Sequence, residues 1–357
     1  MIKSSVVLSI LVVSHNRKLE LQRCLDSVLR QQLTFSFEVI VSDDASTDGA
    51  WELIQDYVAN YPQVVFGYQV NSDDCQPTNT SERSGHNRAN AYRHARGKYF
   101  VHIDGDDYLR SDTIYQRQVE LLEQHPECSM CMQNVWILEE NVAMEQGRVW
   151  HLEHQFETGR IISAQEFLLK DYFIVHSAFV YRRNPDINPA NIYGKRYVDV
   201  VITYHHLQFG SVVCLDACDY VYVQYPTAIT SSLTLNDQKV LWGLAFTVYP
   251  ALLIPRFAGL YYAGHIQDLL HLVNTARHSV EYSESTKKHL KQYDKAFIYR
   301  VFCQERLRLI DRVRLQLILR YLVVLMRTGF LNVFSLKLLH SLLVSTKIDK
   351  HARFDVQ

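Results

Sequence analysis

The chain has 357 residues, of which 48% are apolar and 21% are charged, and its formal net charge is −1. This composition excludes a disordered, collagen-like or disulfide-scaffold protein, and the length predicts about two domains. Because the net charge is close to zero, no general attraction to nucleic acid exists, and we expect no nucleic-acid partner.

The first 108 residues predict alternating strands and helices. Continuous apolar or β-branched runs, typical of strands buried on both faces, predict strands at 6–13, 37–41, 64–70 and 99–103. Helical spacing of apolar residues predicts helices after the first strand and at 51–60 and 87–96, with a polar loop at 71–85. This order is typical of a nucleotide-binding α/β half.

The second part of the chain predicts a mixed continuation of the sheet. Further helices are predicted at 112–125 and 197–209. Further strands are predicted at 129–138 and 147–152 (a hairpin-like pair) and at 173–181, and one or two strands at 211–225. From residue 236 the pattern is helical. We therefore predict an α/β domain, a mixed sheet flanked by helices, at 1–235 and an α-helical C-terminal module at 236–357.

The compartment is inferred from cysteines and apolar segments. Seven scattered cysteines, an odd number, predict reduced thiols in a cytoplasmic protein. No small-residue cleavage site follows the first apolar run, so we expect no signal peptide. No stretch is long and apolar enough to predict a transmembrane helix.

Polar loops follow three of the predicted strands: His15-Asn16-Arg17, Asp43-Asp44 and Asp104-Gly105-Asp106-Asp107. Ligands bind open parallel sheets at the carboxyl ends of the strands. Two carboxylates one residue apart suit a hard divalent cation that also bridges phosphates. One such loop could be an ordinary acidic turn, but three at successive strand ends favour a site. Neither GxGxxG nor a P-loop motif is present.

These motifs resemble those of glycosyltransferase family 2, the inverting enzymes of the GT-A fold. Residues 12–17 resemble the family's opening strand and loop, and residues 41–49 resemble its DDGSTD loop, with Ala45 where glycine is usual. The order of Gly85-His86-Asn87, Ala95-Arg96-Gly97-Lys98-Tyr99 and Asp104-Gly105-Asp106-Asp107-Tyr108 is similar to a GxN…AxGxY…DGDDY stretch. The resemblance is dense over residues 6–134 and implies a nucleotide-binding half at 1–108 and an acceptor half at 109–235.

The resemblance implies transfer of a sugar from a nucleoside-diphosphate sugar to a hydroxyl acceptor, a glycan or lipid-linked saccharide in surface polysaccharide synthesis. Its implied residues for the nucleobase and ribose are Ser14, His15, Asn16, Arg17, Asp43 and Asp44. Asp104 and Asp106 would form the DxD pair that holds Mg²⁺ or Mn²⁺, with Asp106 the more direct metal ligand and Asp104 nearer the ribose and sugar. The metal would neutralise the departing diphosphate.

Three further residues have open assignments. Arg88 is a candidate phosphate contact, because a guanidinium matches phosphate oxygens, or else a surface arginine. By the resemblance, Asp199 is the candidate general base for the acceptor hydroxyl, with Val198 where the family often has Glu; the alternative is that Asp199 only caps its helix. His176 lies in an apolar run; it could line the acceptor pocket or ligate the metal, but it is expected to be a core histidine.

The C-terminal segment and two rival functions complete the expectations. Residues 301–357 carry ten Lys and Arg and four Asp and Glu. The basic and apolar residues of 306–344 predict either a peripheral contact with the inner face of the plasma membrane or a helical bundle with solvated arginines. The rival functions are a nucleotide-sugar-binding protein without turnover and a nucleotidyltransferase, which would need a glycine-rich basic loop that 14–18 lacks.

Overall fold

The computed structural model describes residues 5–70, 80–150, 156–170, 172, 174–187 and 198–226. The chain divides into two units, Met1–Thr234 and Leu235–Gln357, and every described residue belongs to the first. The predicted helical module at 236–357, with the segment 306–344, lies outside the described residues. Within those ranges, no helix is long and apolar enough to cross a bilayer.

The first half alternates strands and helices, as predicted. Its elements are β1 (Leu8–Ser14), α1 (Lys18–Leu29), β2 (Phe37–Asp43), α2 (Ala50–Asn60), β3 (Val65–Gln69), α3 (Thr80–His94), β4 (Tyr99–Asp104) and β5 (Tyr108–Leu109). Every residue of β1 is buried, as expected for a central parallel strand. Helix α1 buries one face against the sheet through Leu21, Cys24, Leu25 and Val28.

Helix α3 differs from the prediction because it begins at Thr80, inside the segment 71–85 that was predicted to be a loop. The loop prediction is wrong from residue 80 onwards. The residues of the first turns of α3, 80–86, are all polar or glycine and therefore show no apolar face. A search for apolar periodicity therefore misses the first turns of this helix.

The second half adds shorter strands, some to the first sheet and some to a second sheet. Its elements are α4 (Ile114–Gln124), β6 (Cys128–Met132), β7 (Val135–Glu139), β8 (Arg148–Val149), β9 (Ile161–Ile162), α5 (Ala164–Lys170), β10 (Phe179–Arg182), α6 (Val198–His206), β11 (Ser211–Cys214) and β12 (Tyr220–Gln224). The strands β7 and β8 form the predicted antiparallel pair.

Two predicted strands are divided in the structure. The strand predicted at 129–138 is β6 and β7, which belong to different sheets, because the backbone N–H groups of Gln133 and Asn134 bond to Ala178 and Ala217 instead of a common neighbour. The strand predicted at 173–181 includes a 3₁₀ turn at His176–Ala178, and only β10 follows as strand.

The described strands form two sheets, of order β3-β2-β1-β4-β10-β6-β11-β9 and β5-β12-β7-β8. Strands β3, β2, β1 and β4 are parallel, whereas β10 runs antiparallel to β4. The register pairs Ser14 with Asp43 and Val13 with Asp104. The carboxyl ends of β1, β2 and β4 therefore meet at one edge, where the polar loops were predicted to converge.

Candidate active site

Backbone hydrogen bonds tie the two acidic loops to the end of β1. The N–H of Asp44 donates to Ser14 O over 3.0 Å, and the N–H of Gly105 donates to Val13 O over 2.8 Å. A Cβ atom at residue 105 would lie only 2.8 Å from that same Val13 oxygen. The close approach of β1 thus requires glycine between Asp104 and Asp106.

The loops after β1 and β2 are interlocked. His15 Nδ1 lies 2.7 Å from Asp44 O, the N–H of Asn16 donates to Ser46 Oγ, and the N–H of Thr47 donates to Asn16 Oδ1. Both Asn16 and Ala45 have a φ of 51°. Alanine therefore occupies a left-handed position that favours glycine, which is the residue expected there from the family motif.

The two adjacent acids after β2 have different surroundings. Asp43 is fully buried, and its carboxylate accepts hydrogen bonds from the N–H and the hydroxyl of Ser46. The carboxylate of Asp44 is 3.0 Å from the Arg83 guanidinium. Asp43 therefore shapes the loop, while the Asp44–Arg83 pair is the part that remains accessible. Sequence reasoning missed Arg83 because it lies in the segment taken for a loop.

The three acids after β4 also differ. The Asp104 carboxylate accepts a 2.6 Å hydrogen bond from Arg88 Nη2. Burial, and next the neighbouring Asp104 charge, raise the pKa of Asp106 to about 6, although Arg17 and Arg88 act in the opposite direction. Asp107 is buried, and its carboxylate accepts hydrogen bonds from the Tyr220 hydroxyl and from the N–H of Val223 at 2.8 Å. Asp107, which the sequence left without a role, anchors β12 to the loop.

Two carboxylates of this loop, Asp104 and Asp106, are the candidate metal ligands. Among the residues described, no group of three or more His, Cys, Asp or Glu side chains is arranged to hold an ion. Asp104 is neutralised by Arg88, whereas Asp106 forms no ion pair within the described ranges. Mg²⁺ commonly binds through one or two carboxylates plus phosphates and water, so the pair fits an ion whose remaining ligands come from a bound diphosphate.

Arg17 and Ser14 lie at the same edge. The Arg17 guanidinium is 4.6 Å from the centroid of the Tyr225 ring, and the Tyr225 hydroxyl donates to Asp106 O over 3.2 Å. The Ser14 side chain is buried, and its carbonyl accepts a 3.0 Å hydrogen bond from Asn87. Tyr225, which follows β12, therefore also lies at this edge.

Arg88 is a buried bridge rather than a surface arginine. Its Nη2 donates to Asp104, its Nη1 donates to Ser84 Oγ, and its Nε donates to His176 Nε2 over 3.3 Å. Only 7% of its surface is exposed. The guanidinium is therefore held between β4 and the 3₁₀ turn before β10, and a direct phosphate contact stays a prediction.

Asp199 lies in the first turn of α6, on the other side of His176. Its Oδ1 is 3.0 Å from His176 Nδ1, and 38% of its side chain is exposed, against 1% for His176. Burial among protein groups raises the pKa of Asp199, but His176 and Arg88 outweigh it, and the pKa lies well below its usual value. Asp199 is thus an ionised, accessible carboxylate, as a general base requires.

Taken together, the structure brings Asp104 and Asp199, which the sequence could only place in separate halves, into one run of contacts through Arg88 and His176. His176 is buried, as predicted, but it contacts two charged residues. No signal in the sequence distinguishes it from an ordinary core histidine.

Comparison with known proteins identifies the family. The Glycosyl transferase family 2 model matches residues 9–188, which is half of the chain. An uncharacterized protein of Mycobacterium tuberculosis is 29% identical over 248 residues, which cover 68% of this chain and 66% of that protein. The chain thus spans slightly less than two thirds of the length of this relative.

Two solved structures are similar at low identity. Staphylococcus aureus TarS 1-349 in complex with UDP-GlcNAc has a TM-score of 0.49 and 14% identity, covering 76% of this chain and 80% of that one. The mannosyltransferase PcManGT from Pyrobaculum calidifontis, in complex with GDP-Man and Mn²⁺, has a TM-score of 0.47 and 12% identity, covering 87% and 89%. The family match over half of the chain carries the assignment, and the chain therefore belongs to glycosyl transferase family 2, the glycosyltransferases that take a sugar from a nucleotide-sugar donor.

Proposed function

We propose that this chain is an inverting, metal-assisted glycosyltransferase that moves a sugar from a nucleoside-diphosphate donor to a hydroxyl acceptor. The observation that carries the proposal is the arrangement of Asp104, Asp106 and Asp199 around one edge of the sheet. Two carboxylates lie at the end of β4, and a third, ionised and accessible, lies across Arg88 and His176.

On the donor side, the nucleotide would lie against the ends of β1 and β2. The Asp44–Arg83 pair, with His15 and Asn16, supports contact with the nucleobase and ribose, whereas the bonds of Asp43 to Ser46 support a role in shaping the loop. Asp106, with Asp104, would hold Mg²⁺ or Mn²⁺. When bound, the metal would neutralise negative charge on the diphosphate as it leaves.

On the acceptor side, Asp199 would accept the proton of the acceptor hydroxyl. The acceptor oxygen then forms a bond to the anomeric carbon of the sugar, and the bond from that carbon to the diphosphate oxygen breaks. The electron pair leaves with the nucleoside diphosphate. Attack from the face opposite the leaving group inverts the anomeric configuration. The low pKa of Asp199 keeps this base ionised at neutral pH.

The acceptor class and the cellular location remain proposals that rest on sequence. We propose a saccharide or lipid-linked saccharide as acceptor, in the cytoplasm or at the inner face of the plasma membrane. The segment 306–344, which would make the membrane contact, lies outside the described residues.

A donor panel tests the proposal against its rivals. We would incubate the full chain with UDP-, GDP- and dTDP-sugars, with Mn²⁺ or with EDTA, and measure both thermal stabilisation and the released products. Stabilisation by one donor class, with metal-dependent release of its nucleoside diphosphate, is expected. Stabilisation without release would favour a binding protein. In a parallel incubation with a nucleoside triphosphate and a sugar phosphate, release of pyrophosphate would favour a nucleotidyltransferase.

A further inference from the structure

His176 is a buried imidazole between two charged side chains, and its two nitrogens have different partners. Arg88 Nε donates to Nε2 over 3.3 Å, and Asp199 Oδ1 lies 3.0 Å from Nδ1. Because Nε2 accepts a hydrogen bond, Nδ1 is the nitrogen that can carry a proton towards Asp199. Arg88 therefore fixes the orientation of the His176 ring, and this orientation directs Nδ1 towards Asp199.

The contact between His176 and Asp199 is close but not fully aligned. At 3.0 Å it is within ion-pair distance, yet Nδ1 has no well-directed hydrogen-bond acceptor in the part of the chain that the structure describes. Hydrogen bonds in a site without substrate are often poorly aligned and improve in the reacting complex. His176 is held in place by its burial and by Arg88, whereas the Asp199 side chain is partly exposed. A small movement of Asp199 would therefore align its carboxylate with the N–H of His176 Nδ1.

We infer that His176 is a positioning residue for Asp199, and that Arg88 and His176 form a fixed link from the donor-side carboxylate Asp104 to the acceptor-side base. This inference rests on the proposed function, because it assigns Asp199 the proton-accepting role. The same guanidinium that holds Asp104 also fixes the tautomer of His176. The base is thus oriented relative to the donor loop by two side chains instead of by its own helix alone.

The link predicts a specific pH dependence of the ratio of variant to wild-type activity, in which a titration common to both proteins, such as that of Asp106, cancels. Asp199 is faced by His176, Arg88, His102, Tyr181 and Tyr222. Burial lowers the pKa of His102 well below its usual value, and burial raises the pKa values of Tyr181 and Tyr222. Without His176, the effect of burial would dominate and the pKa of Asp199 would rise towards the assayed range.

Two conservative variants separate the two contacts of the imidazole. The amide of His176→Asn falls near the position of Nδ1 and keeps a donor for Asp199, whereas the amide of His176→Gln falls near Nε2 and keeps only the contact with Arg88. His206→Asn is the matched control. His206 is equally buried, at 1% exposure, lies at the opposite end of α6, and its Nδ1 contacts Ile202 O.

The experiment compares kcat for nucleoside-diphosphate release from the active donor at pH 5 and pH 8, as the ratio of variant to wild type. For His176→Gln we expect this ratio to be about tenfold lower at pH 5 than at pH 8, with a donor KM within about threefold of wild type. For His176→Asn and His206→Asn the ratio should stay constant within about threefold. A constant ratio in His176→Gln, or an equal pH dependence in both His176 variants, overturns the inference.

A second measurement does not depend on turnover. The pKa of Asp199 is followed by ¹³C NMR of carboxyl-labelled aspartate in the full chain, with Asp199→Asn providing the assignment. A higher pKa in His176→Gln than in His176→Asn supports the positioning role, and equal values contradict it. If the pKa changes as expected but wild type releases no nucleoside diphosphate from any donor, the proposed function fails while the link between His176 and Asp199 stands.

Discussion

The anchoring of β12 by Asp107 gives a prediction that can be worked out in detail, using the variant Tyr220→Phe. Tyr220 and Asp107 are both buried, with 0% and 1% exposure, and the hydroxyl donates to the carboxylate. Among the described residues, removing this donor leaves the buried carboxyl group with only the N–H of Val223. The expected loss in the free energy of unfolding is about 2 kcal/mol, the order found when a buried acceptor loses its partner.

The loss should also depend on pH. Burial raises the pKa of Asp107 well above its usual value, and the Tyr220 hydroxyl opposes that rise. Without the hydroxyl, the pKa of Asp107 in the folded state rises further. A carboxyl group with a raised folded-state pKa lowers the free energy of unfolding as pH increases from its unfolded-state pKa towards the raised value. The destabilisation by Tyr220→Phe should therefore be larger at pH 8 than at pH 5.

Urea unfolding of the full chain, followed by circular dichroism at both pH values, measures these changes. The matched control is Tyr222→Phe, on the same strand. Tyr222 is half-buried and its hydroxyl has no hydrogen-bond partner among the described residues, so we expect a change below about 0.5 kcal/mol. Equal destabilisation by the two variants, or a Tyr220→Phe effect that does not grow with pH, would refute the anchoring role.

Three further predictions concern the loops. Ala45→Gly should stabilise the chain by about 0.5 kcal/mol in urea unfolding, because it relieves a φ of 51°, whereas the helical control Ala91→Gly should cost about 1 kcal/mol. Gly105→Ala should destabilise by about 1–3 kcal/mol, because its Cβ would approach Val13 O; an unchanged midpoint would argue against the tight packing. Asp106→Asn should abolish the extra thermal stabilisation that Mn²⁺ gives in the presence of the donor, and retention of that increment would remove Asp106 from the metal site.

The parts of the fold that sequence predicted are those with strong local patterns. Strands β1, β2 and β4 are continuous apolar runs, and each ends at a polar motif, so their convergence followed from the rule that parallel strands share one carboxyl edge. Asp104 and Asp106 could be placed at this edge for the same reason.

The parts that could not be predicted depend on partners distant in the chain. The first turns of α3 have no apolar face, because residues 80–86 are all polar or glycine. The break between β6 and β7 depends on hydrogen bonds from Gln133 and Asn134 to other parts of the chain. Local periodicity carries no information on either.

The same holds for the site. Three residues of the site are recognised only by a contact with a residue distant in the chain. Arg83 pairs with Asp44, Asp107 accepts a hydrogen bond from Tyr220, and His176 contacts Asp199. No sequence motif contains both members of any of these pairs. Conversely, Asp43 matches the family motif, but both of its carboxylate oxygens are used by Ser46. A motif indicates which residues gather at a site, whereas the contacts decide which of them remain available to a ligand.

The central claim, that Asp199 is the base of a donor-binding site built by the strand ends, is tested most directly by comparing Asp199→Asn with wild type. The dissociation constant of the nucleoside diphosphate and the rate of sugar transfer are measured for both proteins with Mn²⁺. We expect the dissociation constant to change by less than about threefold and the rate to fall by about 10²–10⁴-fold, the usual contribution of a general base. Near-normal transfer by Asp199→Asn would contradict the account.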